Sequence, residues 1–134
     1  MNLPYSPKNN PRVIVIQKLY GMFFNKDENL SFPKHRFKKF IKDVVIGTME
    51  RDEVIKDEIS SHLNNDLSLK KLDKVFQVIV KSAIFELLYK PKTSSKIIIN
   101  EYLRASNFFI DDKQTKYLNA LLDKISKKIR STNG

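Results

Sequence analysis

Helical periodicity is the feature of this sequence that most constrains its fold. Between residues 96 and 130, apolar side chains recur at steps of four, three and four residues, which places them on one face of an α-helix. The two repeats are Ile98, Tyr102, Ala105 and Phe109, followed by Leu118, Leu122, Ile125 and Ile129. The five prolines lie at positions 4, 7, 11, 33 and 91, so long spans lack the residue that breaks helices. The sequence therefore predicts an all-α fold.

Helix-start signals predict where the first two helices begin. Asn10 followed by Pro11 is typical of an N-cap and the first helical position. Ser31 is the predicted N-cap of the second helix, which would have Pro33 in its first turn. Residues 1–10 contain two prolines and no apolar periodicity, which predicts a flexible leader.

Four later helices follow from the same signals. The third is predicted over residues 51–65 and the fourth over about residues 68–89. The fourth is apolar on most sides, which favours a central position in the core. The pair Ser94-Ser95 is the predicted cap of the fifth helix, and the pair Asp111-Asp112 supplies the cap candidates of the sixth.

The net charge of +10 points towards a polyanionic partner. The charge is uneven, because residues 1–40 carry +6, residues 41–70 carry −3 and residues 71–134 carry +7. We therefore expect the acidic middle to stay away from nucleic acid. The basic cluster between Lys34 and Lys42 either meets phosphates or forms a solvated helix face.

The composition excludes several functional classes. Without cysteine, the chain forms no disulfide and no thiolate metal site, and its two histidines, His35 and His62, lack metal-ligand spacing. No phosphate-binding glycine loop, zinc-protease motif or nucleophile elbow occurs, so we expect neither an enzyme nor a cofactor. No apolar run approaches the ~18 residues that cross a membrane. We expect a soluble, cytoplasmic protein.

Several polar side chains on apolar helix faces have two readings each. Tyr20 and Gln17 either contact a ligand, by stacking and hydrogen bonding, or are a half-buried ring beside a solvated amide. Asn100 and Asn119 either tie neighbouring elements together or lie in water. Glu86 falls on a stripe where burial is expected, so it needs an internal donor or a partner protein.

Four short motifs occur in an order and spacing that identify a family resemblance. They are Arg12, Val15, Gln17, Leu19 and Tyr20; then Val80, Lys81, Ala83, Phe85, Glu86 and Leu87; then Ile99, Asn100 and Glu101; and finally YLNALLDK at residues 117–124. Together they resemble the NusB family of bacterial transcription antitermination factors. The resemblance extends from Pro11 to Arg130.

The resemblance implies both a fold and a function. It implies about seven helices in two packed bundles, which would divide a single domain, residues 11–134, near residue 65. It also implies binding of the boxA element of RNA together with NusE, a small-subunit ribosomal protein. That assembly serves RNA polymerase in antitermination on ribosomal RNA operons. Some family members self-associate, so a homodimer is a further expectation.

Position by position, the resemblance implies two sets of binding residues. The residues expected to face RNA are Arg12, Gln17, Lys81 and Tyr117, and those expected at or near the NusE contact are Tyr20 and Glu86. The family's arginine-rich leader is thinned here to Lys8 and Arg12. Lys81 replaces an arginine and loses its bidentate geometry. Attraction to the phosphate backbone of RNA is then either weaker or supplied by the basic cluster between residues 34 and 42.

Two alternatives to an antitermination factor stay open from the sequence alone. A helical module with a basic surface would bind RNA without sequence preference or serve only protein interaction. A NusB-like domain related to ribosomal RNA methyltransferases would need a domain that binds the methyl donor.

Overall fold

The computed structural model describes residues 7–24, 31–63 and 72–131. The helices are the 3₁₀-helix Pro7–Asn9, α1 (Pro11–Phe24), α2 (Lys38–Glu50), α3 (Asp52–Ser60), α4 (Lys74–Tyr89), α5 (Ser95–Ser106) and α6 (Asp112–Ser131). None of the described residues lies in a β-strand. The all-α prediction is confirmed.

Helix α4 is the centre of the core. It packs against each of the other five α-helices, and eleven of its sixteen residues are buried. A helix that is apolar on all sides is stable in water only when its neighbours enclose it in this way. Since α4 contacts both the N-terminal and the C-terminal helices, the division into two sub-bundles stays a prediction.

Two of the predicted helix caps are present. The Oδ1 atom of Asn10 accepts hydrogen bonds from the backbone N–H groups of Arg12 (3.0 Å) and Val13 (3.3 Å). The hydroxyl of Ser94 accepts one from the backbone N–H of Ile97 at 3.2 Å. Each cap satisfies amides in a first helical turn that have no partner within the helix. The predicted starts of α1 and α5 are confirmed.

A capping box begins α6. The backbone N–H of Gln114 donates to the carboxylate of Asp111 at 2.8 Å, and the backbone N–H of Asp111 donates to the amide oxygen of Gln114 at 3.2 Å. The two side chains thus satisfy each other's backbone groups. Asp111 is therefore the cap, and Asp112 is the first helical residue.

The predicted start of the second helix at Ser31 is wrong, because α2 begins at Lys38. Pro33 disfavours helical geometry at the residue before it. Nδ1 of His35 then accepts a hydrogen bond from the backbone N–H of Phe37 at 2.9 Å, and this local bond competes with a helical one. Residues 31–37 consequently form an irregular segment over the N-terminal part of the protein.

Two other predicted boundaries, the start of the fourth helix and the end of the leader, can be compared with the structure. Leu72 and Asp73 precede α4 without being helical, so the predicted start near residue 68 is too early. Residues 64–71 lie outside the described residues, as do residues 1–6 of the predicted leader. The rest of that leader is the 3₁₀-helix Pro7–Asn9 and the buried cap Asn10.

The two amides with open readings, Asn100 and Asn119, both lie in water. Each is exposed, at a groove between α5 and α6. The interpretation as solvated helix-edge residues is therefore the correct one, and neither amide ties helices together.

Candidate nucleic-acid interface

Arg12 of α1 pairs with the carboxylate of Glu86 in α4. The Nε atom of Arg12 donates to Oε2 at 2.9 Å, and Nη2 donates to Oε1 at 2.7 Å. The Glu86 side chain is 1% exposed and that of Arg12 is 12% exposed. Two charge-assisted hydrogen bonds between planar groups are a strong and directional contact. The donor that Glu86 needs is thus internal, while its role towards a partner stays a prediction.

Aromatic rings hold the Arg12 guanidinium in place. Its central carbon lies 4.7 Å from the ring centroid of Phe40 and 5.5 Å from that of Tyr102. Burial alone lowers the pKa of Arg12, but the hydrogen bond and charge of Glu86 outweigh it and raise that pKa above its ordinary value. Burial also raises the pKa of the Tyr102 phenol, which keeps the ring neutral. Arg12 is therefore a permanent cation with a fixed position.

Lys81 of α4 is paired with Asp52 at the start of α3. Its Nζ atom lies 3.0 Å from Oδ1 of Asp52, while Nζ of Lys56 lies 2.8 Å from Oδ2. Partial burial raises the pKa of Asp52, but hydrogen bonds from the two lysines lower it below its ordinary value. The Lys81 side chain is only 11% exposed. A phosphate that reaches Lys81 must therefore compete with a carboxylate.

Tyr117 of α6 presents a partly covered ring. It stacks on Phe76 with a centroid distance of 5.5 Å and an interplanar angle of 19°. Partial burial raises the pKa of its phenol. The residue is nevertheless 39% exposed. A ring that is supported on one side and exposed on the rest is suited to stacking against a base.

Tyr20 and Gln17 are both exposed on α1. Tyr20 packs edge-on against Phe24, with 4.9 Å between ring centroids. The ammonium group of Lys74 lies 4.9 Å from the Phe24 centroid and 5.0 Å from that of Phe23. The C-terminal end of α1 therefore carries an aromatic surface with a cation beside it. The ligand roles of Tyr20 and Gln17 stay predictions.

The structure joins only two of the six implied binding residues by a hydrogen bond or ion pair, and all six are described. That pair is Arg12 and Glu86. Lys81, Tyr117 and Tyr20 have other partners, all of which the sequence analysis missed. Asp52 lies in the acidic stretch that we expected to avoid nucleic acid, and no sequence signal connects Phe76 with α6. The pair of Tyr20 with Phe24 lies within α1 at a spacing of four residues, whereas the contacts of Lys81 and Tyr117 appear only when the helices pack together.

The described residues were also compared with the requirements of a metal site and of a membrane-spanning helix. Within residues 7–24, 31–63 and 72–131, no group of three histidine or acidic side chains is placed to hold a metal ion. Among the helices that the structure describes, none combines the length and apolar character that crossing a bilayer requires.

The model of the NusB family matches residues 9–127 of this chain. The transcription antitermination protein NusB of Rhizobium etli (strain CIAT 652) is 34% identical over 93 residues, which are 69% of this chain and 58% of the relative. The chain thus spans less than two thirds of that relative's length. The protein of the same name from Rickettsia bellii (strain OSU 85-389) is 30% identical over 126 residues, 89% of this chain and 78% of the relative.

Solved structures share the fold. T. maritima NusB superposes with a TM-score of 0.78 at 24% identity, covering 96% of this chain and 94% of that one. The matching chain in a crystal structure of the antitermination factors NusB and NusE in complex with dsRNA has a TM-score of 0.76 at 17% identity. That match covers 91% of this chain and 97% of the other. The arrangement of the six α-helices within the described residues is therefore a NusB-like fold.

Proposed function

This chain belongs to the NusB family, and from that premise we propose that it is a transcription antitermination factor. In this proposal it binds boxA-type RNA together with NusE, in the cytoplasm, and serves the RNA polymerase antitermination complex. The observation that carries the proposal is the family match over residues 9–127, which includes all six implied binding residues. We also propose that it is not an enzyme, since the sequence has no phosphate-binding glycine loop, zinc-protease motif or nucleophile elbow.

The proposed RNA contacts divide by chemistry. Tyr117, supported by Phe76, stacks against a base, and Gln17 hydrogen-bonds to a base edge. Lys81 meets a phosphate once it leaves Asp52. Exposure of Tyr117 and Gln17 supports these roles, because single-stranded RNA is recognised through unstacked bases. Arg12 meets the RNA through a guanidinium that is 12% exposed and already paired with Glu86.

The proposed NusE contact uses the aromatic surface of α1. Tyr20 and Phe24 are 38% and 60% exposed, respectively, and exposed aromatic side chains are enriched at protein interfaces. Glu86 is buried, so its effect on a partner would be indirect. We propose that it acts by fixing the position of Arg12.

The experiment that tests this function is RNA binding with and without NusE. Labelled boxA RNA and a scrambled RNA of the same composition are titrated with the protein at one fixed salt concentration. We expect a preference for boxA that increases when NusE is added. Equal binding of both RNAs, unaffected by NusE, would contradict the proposal and favour the nonspecific basic module.

Matched variants test the individual contacts. Lys81→Ala and Tyr117→Leu should weaken boxA binding. Lys127→Ala removes the same charge as Lys81→Ala from a side chain that is 77% exposed on α6, and we expect it to leave the boxA preference unchanged. If Lys127→Ala weakens binding as much as Lys81→Ala does, only overall charge matters and the assigned contact is wrong.

A further inference from the structure

A cleft of about 340 Å³ opens beside Arg12, between the start of α1, the start of α2 and α5. Its walls are Asn9, Asn10, Pro11, Arg12, Phe37, Phe40 and Glu101. We propose that this cleft binds one unpaired nucleotide of RNA, in addition to the contacts that the resemblance implies. The inference rests on the proposed function, because it extends the RNA surface from Arg12 onto α2.

Phe37 supplies an exposed aromatic face at the cleft. The residue is 39% exposed although it directly precedes a helix. Bases of single-stranded RNA stack on exposed aromatic rings regardless of base identity. The guanidinium of Arg36 lies 5.3 Å from the Phe37 centroid. In this proposal the Phe37 ring stacks on a base and the Arg36 guanidinium pairs with the phosphate of that nucleotide.

The irregular segment that carries Phe37 is fixed by His35. The backbone N–H of Phe37 donates to Nδ1 of His35 at 2.9 Å, so Nε2 carries the ring proton. Nε2 in turn donates to the backbone carbonyl of Lys8 at 2.9 Å. One imidazole therefore joins the 3₁₀-helix to the start of α2. The aromatic wall is held in position before any ligand arrives, which reduces the entropy lost on binding.

The chain segments next to the cleft walls are strongly basic. The positively charged side chains on the 3₁₀-helix, the irregular segment and the first turn of α2 are exposed, and within the described part of the chain none is paired with a carboxylate. They are Lys8, Lys34, Arg36, Lys38 and Lys39. By contrast, Lys81 is already neutralised by Asp52. Unpaired cations around an aromatic cleft are the arrangement that single-stranded nucleic acid requires.

Glu101 gives the cleft an acceptor for the base. Its side chain is 31% exposed, with the guanidinium of Arg104 at 3.7 Å. A lone carboxylate among cations repels a phosphate but accepts hydrogen bonds from the N–H groups of a base edge. In this proposal the functions are separate: cations on the flanking segments contact the RNA backbone, Phe37 stacks on the base face, and Glu101 accepts hydrogen bonds from the base edge.

The test compares two exposed aromatic residues that each lie under an arginine. Phe37→Leu removes the stacking face at the cleft and keeps an apolar side chain. Tyr89→Leu is the control, since Tyr89 is 38% exposed with Arg51 at 5.1 Å from its centroid. We expect Phe37→Leu to weaken binding of single-stranded boxA RNA by at least about fivefold. Tyr89→Leu should stay within about twofold of wild type.

A second pair of variants separates charge from stacking and from misfolding. Arg36→Gln and Arg51→Gln each remove one exposed guanidinium without touching the core. Arg36→Gln should flatten the dependence of log K on log salt by about one phosphate contact, whereas Arg51→Gln should not. Far-ultraviolet circular dichroism of each variant confirms the native helix content.

The outcomes separate this inference from the proposed function. If Lys81→Ala weakens boxA binding while Phe37→Leu and Arg36→Gln bind as wild type does, the cleft is wrong and the proposed function stands. If boxA and scrambled RNA bind equally but Phe37→Leu weakens both, the cleft stands and sequence selectivity fails. If the wild-type protein binds no single-stranded RNA, both are overturned.

Discussion

Breaking the pair between Arg12 and Glu86 should destabilise the protein severely. Glu86→Ala leaves a guanidinium that is 12% exposed without its carboxylate, between the rings of Phe40 and Tyr102. Loss of one partner of a buried ion pair costs about 3–5 kcal/mol, because the remaining charge is no longer compensated. A domain of this kind unfolds with a total free energy of about 5–15 kcal/mol, so much of its stability depends on this contact.

The size of the effect can be assigned to the unpaired charge by a double-mutant cycle. Glu86→Gln keeps the side-chain volume and an acceptor, and should cost about 1–3 kcal/mol. Replacing both partners, with Arg12→Met and Glu86→Leu, removes the charges together and should recover most of the loss of Glu86→Ala. The assay is urea denaturation followed by circular dichroism, with the free energy of unfolding extrapolated to water.

The exposed pair between Lys127 and Asp123 provides the control. Their side chains are 77% and 55% exposed, with 3.1 Å between the charged atoms. Asp123→Ala should therefore change the free energy of unfolding by about 0–1 kcal/mol. If Glu86→Ala costs no more than Asp123→Ala, burial does not set the value of this pair and the reasoning is refuted. If Glu86→Ala loses as much stability as expected, it is unsuitable for measuring NusE binding, because unfolding would obscure the result. The role of Glu86 in that binding should then be tested with Glu86→Gln, at a temperature where this variant is folded.

Three further outcomes are expected. Asp52→Asn should strengthen RNA binding by freeing Lys81 for a phosphate, and should steepen the salt dependence of log K by up to about 0.7, the value for one phosphate of a single strand. Fluorescence anisotropy at several salt concentrations measures this slope, and an unchanged slope would refute the prediction. Gly47→Ala should cost about 1–3 kcal/mol in urea denaturation, because a Cβ would overlap the Phe85 ring; adding Phe85→Leu should restore part of it. Burial lowers the pKa of His62, so the unfolded chain binds a proton at this imidazole more tightly than the folded protein does. The free energy of unfolding should therefore fall as the pH drops below about 6.5. His62→Asn should flatten this dependence in denaturation experiments at several pH values.

Helix starts could be predicted from the sequence where the deciding hydrogen bond is local. Asn10, Ser94 and Asp111 each bind an amide two or three residues away, so their neighbours in the sequence define the cap. The predicted cap at Ser31 was wrong because other local interactions compete with helix formation after it. A proline and the side chain of His35 offered the backbone an alternative that helix rules do not include.

The candidate site was less predictable because its contacts join distant parts of the chain. Periodicity placed Glu86 on a buried stripe and required a donor, but Arg12 lies 74 residues away. The pairing of Lys81 with Asp52 was equally hidden, since no local pattern connects α4 with α3. The family resemblance supplied the binding residues, yet it did not reveal that the charges of three of them, Arg12, Glu86 and Lys81, are already neutralised inside the protein.

The double hydrogen bond of His35 has a practical consequence for spectroscopy. The chain contains only two histidines, so a spectrum of its imidazole nitrogens should hold two sets of signals. His35, with its proton on Nε2, should show one pyrrole-like and one pyridine-like nitrogen, and those shifts should move when an oligonucleotide fills the adjacent space. His62, near Lys124 and Lys128 on α6, is the internal reference. In protein enriched in nitrogen-15, nuclear magnetic resonance of one residue type can therefore report occupancy without an attached fluorophore.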